Sequence, residues 1–198
     1  MNEQQNTKGK VVIISGPSGV GKSTICKEAV RQLDNACLSV SVTTRQKSDS
    51  EVDGQDYWFI SKEQFQERID KGLLLEYAEV FGNLYGTPRD KVEEVLGSGK
   101  TVILEIDVQG ARQAKVIYPD AKMIFIFPPT QKELAARMNQ RGREDTERAE
   151  ERLDWADDEM AAAWQYYNNM VINDKLEQAV REVVQIIQEN IGDKEKND

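Results

Sequence analysis

Five short runs of apolar and β-branched residues punctuate the chain: VVIIS at 11–15, CLSVSV at 37–42, TVILEID at 101–107, MIFIF at 123–127 and MVIN at 170–173. Most are continuously apolar rather than alternating, the pattern of strands covered on both faces. Helical periodicity fills the intervals, at 22–33, 108–117, 131–140 and 177–190. Strand–helix alternation of this kind predicts an α/β fold with a central five-stranded parallel sheet between two layers of helices. Two stretches interrupt it. Residues 43–96 carry strand and helix signals of their own, including DYWFI at 56–60 and a helical stretch at 61–71. Residues 141–165 intersperse Glu and Arg in a helical pattern, with Leu153, Trp155 and Met160 marking a face that packs. The expected organisation is a core from 9–42 and 97–190, an inserted subdomain at 43–96, a lid at 141–165, and disordered tails at 1–8 and 191–198. No internal repeat is visible.

Composition narrows the function. Hydrophobic residues make up 39% of the 198 positions, as in a globular chain. No apolar run is long enough to cross a bilayer, and the opening MNEQQNTKGK has no apolar core like that of a secretory signal. The cysteines, Cys26 and Cys37, do not make a disulfide framework. A cytoplasmic protein is expected. The sequence has no histidine, which removes His-dependent triads and His-based metal sites. A net charge of −9 argues against a nucleic-acid surface, but small anionic ligands depend on where individual Arg and Lys residues sit.

One motif carries chemistry by itself. Gly16-Pro17-Ser18-Gly19-Val20-Gly21-Lys22-Ser23 matches G-x-x-x-x-G-K-[ST], between a β-branched strand and a helical run. Glycines let the backbone turn its N–H groups toward phosphate oxygens, and the helix N-terminus adds a positive end. Lys22 suits the β- and γ-phosphates, the Ser23 hydroxyl suits Mg²⁺, and Thr24 offers a second hydroxyl. The core is therefore expected to be a P-loop fold that binds a nucleoside triphosphate. GTPases, ATPases and small-molecule kinases share this much.

The remaining motifs choose among them. Thr43-Thr44-Arg45, Gly54-Gln55-Asp56-Tyr57, Glu76-Tyr77-Ala78, Phe81-Gly82-Asn83-Leu84-Tyr85-Gly86 and Glu105-Ile106-Asp107-x-Gln109-Gly110 occur in order, followed by Phe127-Pro128-Pro129, Arg141-Gly142 and Val171-Ile172-Asn173-Asp174. Together with the phosphate loop they resemble the guanylate kinase family over about residues 9 to 190. The resemblance implies transfer of the γ-phosphate of Mg·ATP to GMP, with dGMP as a further expected acceptor and no obligate protein, nucleic-acid or membrane partner. It implies that Arg45, Tyr57 and Tyr85, with Gly86 beside them, hold the GMP phosphate, and that Ser41, Glu76 and Thr87 read guanine. An ionised Glu can accept both N1–H and N2–H₂ of guanine, a donor pair that adenine lacks. Glu105, where the family usually has Asp, and Asp107 are implied near GMP. Asp107 also suits the surroundings of Mg²⁺, although a carboxylate there equally suits the cap of the following helix. Arg137, Arg141 and Arg152 match the arginines brought to the transferring phosphate, and Asn173 matches the adenine-side loop.

The chain departs from the family pattern at Ser48, where a second phosphate-binding arginine is expected, and at Ser50, where glycine is expected. Three outcomes follow: Lys47, next door, supplies the charge as a point contact without bidentate geometry, which is the favoured reading, or GMP binds more weakly, or the acceptor is not GMP. Three other readings compete. A kinase of another phosphorylated acceptor would not need Ser41, Glu76 and Thr87 together. A non-catalytic guanylate-kinase-like binding module would not need an intact phosphate loop. A regulatory GTPase should carry N-K-x-D, which is absent.

Overall fold

The computed structural model describes residues 9–140 and 146–189. Two sheets organise the chain. The first is the expected five-stranded parallel sheet, in the order β2-β7-β1-β8-β9. Its strands are β1 (Lys10–Ser15), β2 (Ala36–Leu38), β7 (Thr101–Glu105), β8 (Lys122–Phe127) and β9 (Asn169–Ile172). The second has four strands in the order β4-β3-β6-β5: β3 (Val42–Thr43), β4 (Trp58–Phe59), β5 (Leu74–Val80) and β6 (Asn83–Pro88). The helices are α1 (Lys22–Gln32), α2 (Lys62–Asp70), α3 (Arg89–Gly97), α4 (Val108–Ile117), α5 (Gln131–Gln140), α6 (Thr146–Tyr166) and α7 (Leu176–Gln188).

Backbone contacts group the chain into two units. One comprises residues 12–34 and 122–198 and holds β8, paired in parallel with β1 on one side and β9 on the other. Ile13, Ile14, Ile124, Phe125 and Ile126 are fully buried, so these strands are covered on both faces and need no polar alternation. Helix α7 buries Ala179, Val180, Val183 and Ile187, one stripe at helical spacing, and packs on α1. Helix α6 buries Ala156, Glu159 and Ala163, with Leu153, Trp155 and Met160 half-buried beside them.

The other unit comprises residues 1–11 and 35–121. Within it β2 pairs in parallel with β7, and the four-stranded sheet has a small core of its own. Val42, Phe65 and Leu74 form that core, with Ile60, Ile69 and Leu84 packed against it. A capping box starts α2: Ser61 Oγ accepts from Gln64 N, and Gln64 Oε1 accepts from Ser61 N.

The run at 37–42 is not one strand. The chain leaves β2 after Leu38 and re-forms as β3 in the other sheet, where Val42 faces Gly86 and Trp58. The alternating Ser39-Val40-Ser41 marks the changeover, because alternation suits a sheet with one covered face. The tails at 1–8 and 191–198, and residues 141–145 of the expected lid, lie outside the described residues.

Candidate active site

The residues expected on the acceptor side all fall in the unit holding the four-stranded sheet. Their arrangement starts from an irregularity in β5. Leu74 pairs with Pro88 and Tyr77 with Gly86, so Leu75 and Glu76 together oppose the single residue Thr87. This β-bulge breaks the alternation of the strand, and Leu74, Leu75 and Glu76 are buried in succession. From Glu76 onward the alternation is regular, Glu76 and Ala78 buried and Tyr77 and Glu79 exposed, and Glu76 is only 3% exposed. Thr87, also buried, donates from Oγ1 to Glu76 Oε1 at 2.6 Å. Burial pushes the Glu76 carboxyl up to about 7, against the opposing pull of the Thr87 hydrogen bond, and the nearby Asp107 carboxylate adds to the rise.

Asp107 is the N-cap of α4. Its Oδ1 accepts from Gly110 N at 3.0 Å and its Oδ2 from Gln109 N at 3.2 Å. Both the capping role and a place beside Glu76 thus fall to this one residue. Among the described residues no three His, Cys, Asp or Glu side chains cluster as a metal-binding group. Asp107 and the exposed Ser23 hydroxyl are nonetheless oxygen donors of the kind a hard cation takes.

Tyr85 lies two residues before Thr87 on β6, and the two side chains project to the same face. Tyr85 meets Tyr57 edge-on at 5.8 Å between ring centroids. The Arg45 guanidinium lies over the Tyr57 ring at 5.4 Å and over Phe59 at 5.6 Å. Burial, with Glu105 and Tyr85 nearby, raises the Tyr57 hydroxyl well above its ordinary pKa, so it remains a hydrogen-bond donor. Gly86 is buried against Phe65 and Leu74 of the subdomain core. Ser41, half-buried, accepts from Trp58 N through its carbonyl at 2.8 Å.

The loop after Arg45 closes on Glu51, a residue to which the sequence reading gave no role. Arg45 donates to Glu51 through Nη1 at 3.0 Å and Nη2 at 2.5 Å, a bidentate pair. Ser48 donates to Glu51 Oε2 from its backbone N at 2.8 Å and from Oγ at 2.7 Å. The Arg45 pair holds the Glu51 carboxyl down at about 2, with the Ser48 hydrogen bonds helping. Ser48 therefore closes a turn. Lys47 Nζ donates to the carbonyls of Ser48 at 3.2 Å and Glu51 at 2.9 Å.

The donor-side residues fall in the other unit. Gly19 and Gly21 have φ of 83° and 100°, conformations that L side chains rarely adopt. Gly21 is the N-cap of α1, with no side chain capping the first turn and no acidic residue in it. Its backbone N–H groups are available for an anion, and the helix end favours negative charge. Lys22 Nζ turns back onto the carbonyls of Gly16 and Pro17, the latter at 3.0 Å. Ser23 and Thr24 are exposed beside it. Pro17 accepts from Val20 N at 3.2 Å, tightening the loop. Arg152 donates from Nη2 to Ser18 Oγ.

Asn173 is buried and fastened to the phosphate loop. It is 7% exposed, and its Nδ2 donates to Val20 O at 2.7 Å. Its carbonyl accepts from Arg137 Nη1 at 3.1 Å, and its N–H donates to Phe127 O at 2.8 Å. Arg137 also pairs with Glu133 at 3.3 Å. Arg141 lies outside the described residues.

The guanylate kinase family profile matches residues 8–190. The chain belongs to the guanylate kinase family. It is 44% identical to a guanylate kinase of Synechocystis over 187 residues, covering 94% of this chain and 97% of that one. A guanylate kinase of Clostridium tetani is 47% identical over 180 residues, covering 91% and 86%. The crystal structure of guanylate kinase from Anaplasma phagocytophilum superposes with a TM-score of 0.76 at 31% identity, covering 91% of this chain and 85% of that one.

Within this guanylate kinase chain, the sequence reading gave no individual role to Glu51, Phe59 or Gly110. Glu51 stood three residues after Ser48, the S-x-x-E spacing of a side chain that reaches back to a backbone N–H. Phe59 was hidden in a strand signal. Gly110 was a glycine in a helix with no turn to explain it.

Proposed function

We infer that the chain transfers the γ-phosphate of ATP to GMP, giving ADP and GDP, and that its own residues divide the work as follows. Glu76 reads guanine as a carboxylate accepting N1–H and N2–H₂, with Thr87 fixing one of its oxygens and Ser41 beside them. Arg45, Tyr57 and Tyr85 hold the GMP phosphate, with Gly86 leaving their strand close to the subdomain core. Glu105 and Asp107 supply further carboxylates near the acceptor. The single observation that carries this reading is a buried carboxylate held by Thr87 in a chain with an intact phosphate loop.

On the donor side, the backbone of Gly16–Gly21 and the start of α1 cradle the triphosphate, and Lys22 exchanges its carbonyl partners for phosphate oxygens. Arg137 and Arg152, with Arg141, stabilise charge that develops on the transferring group. Asn173 supports the loop from behind. Magnesium, when bound with ATP, would offset phosphate charge, and the Ser23 hydroxyl is an oxygen donor that would hold it. No general base is required for this transfer, which suits a chain without histidine.

A coupled assay across nucleoside monophosphates tests the reading. GMP should be phosphorylated with ATP, and AMP, CMP and UMP should be poor acceptors. Comparable rates with AMP would remove the role given to Glu76, and a phosphorylated sugar as the preferred acceptor would replace the function altogether.

A further inference from the structure

Gly110 occupies the third position of α4 with ordinary helical backbone, where glycine is the least favoured residue after proline. Its φ is not positive, so no turn explains it. Its surroundings do. A Cβ built on Gly110 would lie 2.1 Å from Glu76 Oε2, 2.9 Å from Glu76 Cδ and 3.2 Å from Asp107 Oδ1. Cβ atoms on a helix lean toward its N-terminus, which here is the direction of the Glu76 carboxylate.

We propose that Gly110 is a specificity-positioning residue: its missing side chain is the space that holds Glu76 Oε2 where guanine meets it. This rests on the reading of Glu76 as the guanine acceptor. Glycines that serve close packing have backbone where a Cβ would go, as Gly9 does with Lys100 O at 2.6 Å and Leu96 Cα at 2.7 Å. At Gly110 all three neighbours belong to carboxylate side chains, and the two nearest are the far end of Glu76. Any residue larger than glycine displaces that end and leaves the helix in place. Glu76 Oε1 is already committed to Thr87. Oε2 is thus the oxygen whose position Gly110 sets, and both oxygens are needed to accept N1–H and N2–H₂ together.

The signature is unusual for a buried glycine. Gly110→Ala raises helix propensity, so the thermal midpoint should equal or exceed that of the parent. The KM for GMP should rise about tenfold or more, as for loss of a hydrogen bond to a charged group, with the KM for ATP and kcat at saturating GMP little changed. The test uses Gly110→Ala, Glu76→Gln and the double variant. If Gly110 acts through Glu76, the double variant has the GMP KM of Glu76→Gln, with no further increment. Additive effects would overturn the proposal, as would a parental KM in Gly110→Ala or a lowered thermal midpoint, which would mean that backbone has to move. Failure of the underlying reading looks different. Glu76→Gln would then bind GMP as the parent does, and the proposal would go with it. An impaired Glu76→Gln beside an unimpaired Gly110→Ala would sink the proposal alone.

Discussion

Glu76 combines burial, a short bond from Thr87 and a neighbouring carboxylate, and each has a measurable consequence. Its carboxyl in the ligand-free fold is raised to about 7, from an unfolded value near 4.5. A raised acid stabilises the fold fully below the unfolded pKa, and that contribution is lost as pH rises through the folded one. Glu76→Gln should therefore exceed the parent in denaturation midpoint at about pH 8, with the gap closing toward about pH 5. On the proposed reading guanine meets the ionised form, so the parent's KM for GMP should fall as pH rises through about 7. The GMP phosphate titrates near pH 6 as well, at about the usual second phosphate pKa. Glu76→Gln separates the two, because its KM should keep only the phosphate's dependence. At Ser48 the structure supplies what the sequence could not. The hydroxyl found a partner in Glu51, and Lys47 rests on two carbonyls of the same turn. A lysine held by neutral carbonyls can transfer to a phosphate dianion with little loss. Lys47→Ala should raise the KM for GMP about tenfold or more and leave the KM for ATP alone. If Lys47→Ala is silent and Ser48→Arg lowers the KM, the loop binds phosphate through Arg45 without compensation.

Elements differ in how well the sequence announces them. Helix α4 at 108–117 and helix α5 at 131–140 fall where periodicity places them, because each has a clear apolar stripe and a strand just before it. The run at 37–42 was misjudged because apolarity alone cannot show that a chain changes sheets midway. The phosphate loop was legible as a motif, but its fastening to β9 was not, since Asn173 is remote in sequence and Asn after a strand is an ordinary turn residue. With its Nδ2 on Val20 O, Asn173 fastens the phosphate loop. Asn173→Asp sets a carboxylate oxygen against that carbonyl. It should raise the KM for ATP severalfold while the KM for GMP holds, and an unchanged ATP constant would separate Asn173 from the loop.

Across the whole molecule, alternation of strand and helix was enough to give the parallel sheet, since parallel strands need crossovers and the crossovers here are helical. What the sequence hid were pairings set by tertiary contact: Arg45 with Glu51, Asn173 with Val20, Glu76 with Gly110. The proposed acceptor residues all lie in one unit, which predicts that GMP alone, without ATP, stabilises the protein. At about a hundredfold over its dissociation constant the gain is about 2.7 kcal/mol, or roughly 5–10 °C in thermal midpoint for a chain of this size. No shift with GMP, alongside a shift with ATP, would mean that the acceptor site is completed only by the donor. The bulge in β5 has a consequence for the history of such a chain. Removing either Leu75 or Glu76 would leave one residue opposite Thr87 and a regular ladder, so the sheet itself would not object. Losing Leu75 would keep the glutamate on the face it shares with Thr87 and Ala78, whereas losing Glu76 would put Leu75 there. An in-frame loss of the Glu76 codon would thus leave a strand with a more regular ladder and no carboxylate opposite Thr87.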